Sequence, residues 1–324
     1  MCTAIRFKSN GIYFGRTLDL EYSLGEGVVI TARRHPLTFR HFERTDDHHA
    51  IIGIGIIRDG YPLYFDALNE RGVWMAGLNF PHYATYNHGK CGMLNLASYE
   101  LIPFVLSRCD SVKDAEKLLR EANITSEEFS SELSPTPMHW MLCDFEKSIV
   151  IEQTKRGFAM YENPTNVMTN SPDFERQTEN LSKYLSLTTY PPAWRFSPEF
   201  AFESSSRGMG AFGLPGDVSS TSRFVRAAFT LANATKPEDE DACVSQFYHI
   251  LGTVEQVSGT VRLDGGALEK TVYTSCADPR RLIYYYTTYE NPTPCAVKMN
   301  KEDVRGSSII FYPLERKLRI FEQN

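Results

Sequence analysis

The 324-residue chain has no apolar run long enough to cross a bilayer. Its longest, Ala50–Ile57, ends at Arg58 after eight residues, where a spanning helix needs about 20. The first twenty residues, MCTAIRFKSNGIYFGRTLDL, also lack an apolar segment of signal-peptide length, so retention in the cytoplasm is expected. Basic residues are not in excess. Lys and Arg number 34 against 40 Asp and Glu, a net charge of −6, which argues against a nucleic-acid backbone as the main partner. There is no C-x-x-C pair. The seven cysteines (Cys2, Cys91, Cys109, Cys143, Cys243, Cys276 and Cys295) are odd in number and widely spaced. They read as free thiols in a reducing compartment rather than a disulfide framework or a zinc site. No G-x-S-x-G, H-E-x-x-H or P-loop occurs. Internal repeats, low-complexity tracts and linkers are missing as well, so residues 1–324 are expected to form a single domain.

What is present is an ordinary globular composition, 42% hydrophobic and 23% charged, which rules out disorder for most of the chain. Strands are expected at Cys2–Phe7, Val28–Thr31, Ile51–Ile57 and Val73–Leu78, punctuated by Gly and Pro. A helical block follows at Tyr99–Arg108, where Pro103 suits only a first turn or a kink. Ser111-Val112-Lys113-Asp114 resembles a capping box and opens an amphipathic helix to about Ala122. A second strand group runs through Met138–Asp144, Ser148–Gln153, Gly157–Tyr161 and Val167–Thr169, spaced as antiparallel hairpins. Tyr190–Ser220 is loop-rich. Helices are expected at Arg223–Leu231 and Cys243–Val257, and closing strands at Thr271–Cys276, Leu282–Thr288 and Ser308–Tyr312. Strands and helices come in blocks, which implies layered α+β with antiparallel sheets.

Several residues carry chemistry. Cys2 follows the initiator methionine. Once Met1 is removed it holds a thiol and a free α-amine on one backbone unit, so one residue supplies both nucleophile and base. An isolated cysteine is otherwise a small hydrophobe. Arg16 and Asp19 are opposite charges three apart; in a turn after a strand they would converge on one site, Arg16 favouring a thiolate and Asp19 orienting the amine. The plainer alternative is a surface salt bridge. Asn79 and Asn170 each end an apolar strand, where a side-chain amide donates to an oxyanion or simply makes a turn. Arg223 starts a helix after the glycine-rich loop Gly213-Leu214-Pro215-Gly216. Two patterns are decoys. Gly208–Gly213 matches G-x-G-x-x-G without the flanking strand and helix that a dinucleotide site needs. Asp46-Asp47-His48-His49 reads as a solvated loop, and His139 as a strand histidine.

In order along the chain, MCTAIRF, YFGRTLDLEYS, YPLYFDALNERG, MAGLNFP, MHWMLCD, SIVIEQT, VMTNSP, GLPGDVSSTSRFVRAAF and IYYYTTYENP resemble the choloylglycine hydrolase family, which contains bile salt hydrolases and penicillin V acylases. The resemblance spans nearly the whole chain. It implies an N-terminal-nucleophile hydrolase with a four-layer αββα sandwich of two antiparallel sheets. It further implies Cys2 as nucleophile after loss of Met1 alone, Arg16 and Asp19 beside it, Asn79 and Asn170 at the oxyanion and substrate carbonyl, and Arg223 completing the polar site. The reaction implied is amide hydrolysis through a thioester, with no metal and no organic cofactor, by a homotetramer.

Asn79 and the GLPGD loop look like the bile salt hydrolase branch, so the implied substrate is a glycine- or taurine-conjugated bile salt. The resemblance assigns the steroid pocket to Leu18, Phe65, Phe129 and Leu133, with Arg58 and Tyr22 at the rim. Arg58 replaces a usually apolar residue, and Thr17 stands where Asn is common. The cation at Arg207 leans toward taurine. The alternatives are a penicillin V or N-acyl-homoserine-lactone acylase on the same scaffold, and a non-catalytic binder of amphipathic ligands that kept the fold.

Overall fold

The apolar runs of the sequence become strands buried on both faces. In Gly27–Thr31, Val28 and Ile30 join one hydrophobic core and Val29 a second. In Trp74–Asn79, Trp74, Ala76 and Leu78 face the first core and Met75 the second. In Met138–Cys143, Met141 and Cys143 are divided from Trp140 and Leu142 in the same way. Successive strand residues point to opposite faces, so a sheet with a core on each side requires an unbroken apolar run rather than alternation.

The computed structural model describes residues 1–324. Its first sheet orders the strands Val167–Met168, Cys2–Lys8, Ile12–Leu20, Leu268–Asp278, Ile283–Thr288 and Cys295–Lys298, with Val261–Arg262 hung on Leu268–Asp278. The second orders Gly157–Glu162, Ser148–Thr154, Met138–Cys143, Trp74–Asn79, Tyr61–Asn69, Ile51–Arg58, Gly27–Thr31 and Ile309–Pro313. Neighbours in both sheets are antiparallel. The helices Ser220–Asn233 and Glu240–Gly252 cover the outer face of the first sheet. Leu101–Leu106 and Val112–Leu118 cover the outer face of the second. This is the four-layer αββα sandwich of the N-terminal-nucleophile hydrolases, α+β as the blocks of the sequence imply. No helix is long and apolar enough to cross a membrane.

Where local signals compete, the structure departs from the sequence reading. Ser111 does cap a helix, accepting from Asp114 N at 3.1 Å, but that helix ends at Leu118 and Ala122 opens a short strand parallel to Leu94–Ala97. Tyr99–Arg108 contracts to Leu101–Leu106, with Pro103 in its first turn. Ile12–Leu20 is a full strand, where a turn was expected around Arg16 and Asp19. The Asp46–His49 segment is not wholly solvated: His48 is buried, its Nε2 2.8 Å from His35 O.

Candidate active site at the start of the first strand

Cys2 opens the first strand and is 2% exposed. Antiparallel register sets Cys2 opposite Leu18 and Ala4 opposite Arg16, so Cys2, Arg16 and Leu18 share the face that looks into the space between the sheets. There Arg16 Nη2 donates to Cys2 Sγ at 2.6 Å. The rest of the guanidinium is held by backbone: Nη1 donates to Gly77 O at 2.6 Å and Phe65 O at 3.4 Å, both in the second sheet, and Nε to Thr17 O at 3.1 Å. Gly15, just before it, has to be glycine. A Cβ there would sit 2.0 Å from Ser275 O of the neighbouring strand. Burial opposes the Arg16 charge, but the Cys2 sulfur, Tyr273, Asp66 and Asp19 outweigh it and hold its pKa above the ordinary value.

The odd-numbered residues of the same strands face the helices. Asp19 Oδ1 accepts from Thr271 Oγ1 at 2.7 Å, and Oδ2 lies 3.3 Å from Thr17 Oγ1, which in turn accepts from Thr3 N at 3.1 Å. A register shift between Thr271 and Tyr273 makes this possible. The extra residue reverses the alternation, so Thr271 faces Asp19 outside while Tyr273 and Ser275 face between the sheets. Burial pushes the Asp19 carboxyl up, against the pull of the terminal ammonium, Arg223 and Thr271. The Met1 ammonium donates to Asp19 O at 2.7 Å and to Glu269 Oε2 at 2.8 Å. Burial pushes the Glu269 carboxyl up as well.

Asn170 ties the two faces together. Its Oδ1 accepts from Cys2 N and from Arg223 Nη2, both at 2.7 Å, and its Nδ2 donates to Asn79 O at 2.8 Å. Arg223, fully buried on Ser220–Asn233, also donates through Nη1 to Cys2 O at 2.5 Å and Thr3 Oγ1 at 2.7 Å. Burial pulls the pKa of Arg223 down, countered by Asp19, Cys2 and Glu269.

Cys2, Arg16, Asn170 and Arg223 are thus joined by direct hydrogen bonds, and Asp19 sits on the reverse of the same strand. Arg16 and Asp19 form neither the convergent turn pair nor the surface salt bridge considered for them, because three residues along a strand separate them by a face. Asn79 reaches the cluster through its backbone carbonyl, and its side chain is exposed. Of the pocket residues, Leu18 faces Cys2's side of the sheet and is buried, and Phe65 packs on the same core while its carbonyl holds Arg16. Tyr22 is exposed, and Arg58 is exposed at a hairpin end, donating only to Ile57 O. Phe129 packs with other aromatics. Its ring packs 5.8 Å from Tyr61 and 5.2 Å from Tyr99, beside the second core, and its N donates to Leu133 O at 3.2 Å. A cleft of about 610 Å³ runs past Phe129 and Tyr99, and Cys2 does not line it.

Sequence reasoning missed the supports of Asn170. Its N donates to Ser220 Oγ at 2.9 Å, and Gln177 Nε2 donates to its carbonyl at 3.2 Å. One residue back, Thr169 O is 2.8 Å from His139 Nε2, whose Nδ1 is 3.0 Å from Glu152 Oε1. His139 and Glu152, facing each other from two neighbouring strands, were the available signal.

The family model for linear amide C–N hydrolases of the choloylglycine hydrolase family matches residues 2–312. A bile salt hydrolase/transferase of Lactiplantibacillus plantarum is 44% identical over 324 residues, covering all of both chains. A conjugated bile acid hydrolase of Lactobacillus gasseri is 36% identical over 317 residues, covering 96% of this chain and 100% of that protein. The crystal structure of the C2A mutant of the Clostridium perfringens conjugated bile acid hydrolase superposes with a TM-score of 0.93 at 34% identity over 100% of both chains. Penicillin V acylase from Agrobacterium tumefaciens shares the fold, at a TM-score of 0.76 and 18% identity over 95% of this chain and 90% of that one. The chain belongs to the choloylglycine hydrolase family and is a linear amide C–N hydrolase.

Proposed function

We propose that the protein, with Met1 removed, cleaves the amide of glycine- or taurine-conjugated bile salts using Cys2. The observation that carries this is the 2.6 Å contact between Arg16 Nη2 and Cys2 Sγ, because a buried cationic donor favours negative charge on the sulfur. The thiolate adds to the amide carbonyl, and the oxyanion draws on donors beside Cys2, with Asn79 and Asn170 at that position. The C–N bond breaks, the leaving amine takes a proton through the Cys2 α-amine, and a thioester remains. Water, deprotonated by the same amine, then releases the bile acid and returns the thiol. Arg223 and Asn170 fix the backbone of Cys2 during both steps, and Asp19 orients its amine. The α-amine replaces the Cys2 amide that now donates to Asn170.

The bile salt assignment draws on the relatives that carry that name at 35–44% identity. In this reading Leu18, Phe65, Phe129 and Leu133 line the steroid site, with Tyr22 and Arg58 at its rim. The lean toward taurine draws on the charge of the exposed Arg207. The enzyme works in the cytoplasm as one domain per chain, without cofactor, in a homotetramer. Exposed Phe196, Phe200 and Phe202 gathered around Trp194 give such an assembly an apolar surface to cover.

The test is intact-mass measurement of untagged protein coupled to glycine and taurine release from mixed conjugated bile salts. Loss of Met1 with amino-acid release is expected. Loss of Met1 without release rejects the substrate.

A further inference from the structure

Asp66, on Tyr61–Asn69, is wholly buried between the sheets. Its Oδ1 accepts from Tyr273 Oη at 2.6 Å, and its Oδ2 from Ser275 Oγ at 2.7 Å and from Tyr284 Oη. Ser275 Oγ also accepts from Arg16 N at 3.1 Å. With that lone pair engaged, the serine proton points at Asp66. Three hydroxyls aimed at one carboxyl suit an anion, which only accepts. Yet no cation touches it.

Arg16 presents the converse. Its guanidinium is buried and touches no carboxylate, only Cys2 Sγ and backbone carbonyls. One of those carbonyls belongs to Phe65, the residue before Asp66. A buried cation without an anion is strongly disfavoured. The groups that face it are Cys2 on the first strand, Tyr273 and Ser275 on Leu268–Asp278, Tyr284 on Ile283–Thr288, and Asp66 from the second sheet. Asp19, Glu269 and Arg223 lie on the other face of the first sheet.

We propose that Asp66 is a positioning residue for the hydrolase, the fixed counter-charge of Arg16, which keeps the Cys2 sulfur from being the sole anion on that guanidinium. A thiolate held too tightly by a cation forms readily but attacks weakly, because intrinsic nucleophilicity falls as the thiolate is stabilised. Asp66 divides the Arg16 charge, and Ser275 relays its position to the Arg16 backbone. Burial pushes the Asp66 carboxyl up, and Arg16 with the three hydroxyls pulls it back toward the anion.

The inference rests on Cys2 being the reacting sulfur, and its test needs no turnover. Carboxamidomethylation of Cys2 by iodoacetamide, followed by intact mass across pH, reads the sulfur directly. In Asp66→Asn the midpoint should move to lower pH, with kcat/KM reduced on the plateau. An unmoved midpoint in a folded variant overturns the proposal. Where Asp66→Asn does not fold, Tyr273→Phe decides. It withdraws one donor from the carboxylate, and a smaller shift in the same direction supports the proposal while no shift overturns it. A shifted profile in an enzyme that releases no glycine or taurine keeps this inference and rejects the bile salt assignment instead.

Discussion

Arg16 and Asp19 lie on one strand and serve opposite sides of it: Arg16 meets the Cys2 sulfur between the sheets, and Asp19 meets Thr271 beneath the helices. The strand carrying Cys2 is therefore clamped by charge from both faces, with Arg223 adding a second cation on Asp19's side. Sulfur chemistry is kept on one face and backbone and amine positioning on the other.

Cys2→Ser tests the nucleophile with little change in shape. The hydroxyl still accepts from Arg16, so the melting curve should match that of the wild type. A hydroxyl is a far weaker nucleophile at neutral pH, and amide hydrolysis should fall by about a thousandfold or more. Retained turnover would remove Cys2 from the mechanism.

Arg16→Lys keeps the charge and loses the fork. One ammonium cannot reach Cys2 Sγ, Gly77 O and Thr17 O together, since these diverge around a planar guanidinium. The variant should lose about a hundredfold or more in kcat/KM and also melt earlier, because buried carbonyls go unpaired. Activity within about threefold of wild type would show that charge alone suffices.

Much of this was readable beforehand. The apolar runs at Ile51–Ile57 and Met138–Asp144 announced strands, and Cys2 after Met1, with the family resemblance, pointed to the nucleophile. The pair Arg16 and Asp19 was recognised but misplaced, because FGRTLD has the glycine and charges of a turn. Gly15 is there for close packing on Ser275, which no local pattern reveals. The parity reversal at Thr271–Tyr273 was invisible for the same reason, since a bulge depends on the partner strand. The contacts of Phe129 with Tyr61 and Tyr99 were equally hidden, since they join residues far apart in the sequence.

Gly15→Ala isolates that close approach. The added methyl would overlap Ser275 O, which is backbone and cannot rotate away. Overpacking of this kind costs about 1–3 kcal/mol. Denaturant unfolding should show this loss, with an activity loss as the Arg16 strand shifts. Unchanged stability and activity would mean the two strands part freely.

Asp19→Asn should separate stability from catalysis. Burial raises the Asp19 pKa above its unfolded value. An acid raised on folding binds more protons in the folded state, so its ionisation costs stability once the pH exceeds its unfolded pKa. The asparagine keeps an acceptor for Thr271 and removes that cost. The variant should therefore be more stable than wild type at neutral pH, and the advantage should shrink as pH falls through the folded pKa and vanish below the unfolded one. Activity should drop throughout. A variant less stable at neutral pH would mean that Arg223 depends on the carboxylate.

Glu152 tests the support behind Asn170. His139 Nε2 faces a carbonyl, which only accepts, so that nitrogen carries a proton. Its Nδ1 faces Glu152 Oε1, which also accepts from Phe174 N at 3.1 Å. Loss of the Phe174 cap alone would cost about 1 kcal/mol. Leaving the buried His139 Nδ1 without its partner as well brings the total to about 2–4 kcal/mol. Glu152→Ala should therefore approach the larger figure in denaturant unfolding, and Glu152→Gln, which keeps one acceptor, should fall between the two. Because Thr169 O is His139's other partner, both variants should also lower kcat by loosening Asn170, the acceptor of Cys2 N. A loss near the smaller figure with full activity would leave His139 and Glu152 as packing for Phe80, on which the imidazole stacks at 4.1 Å.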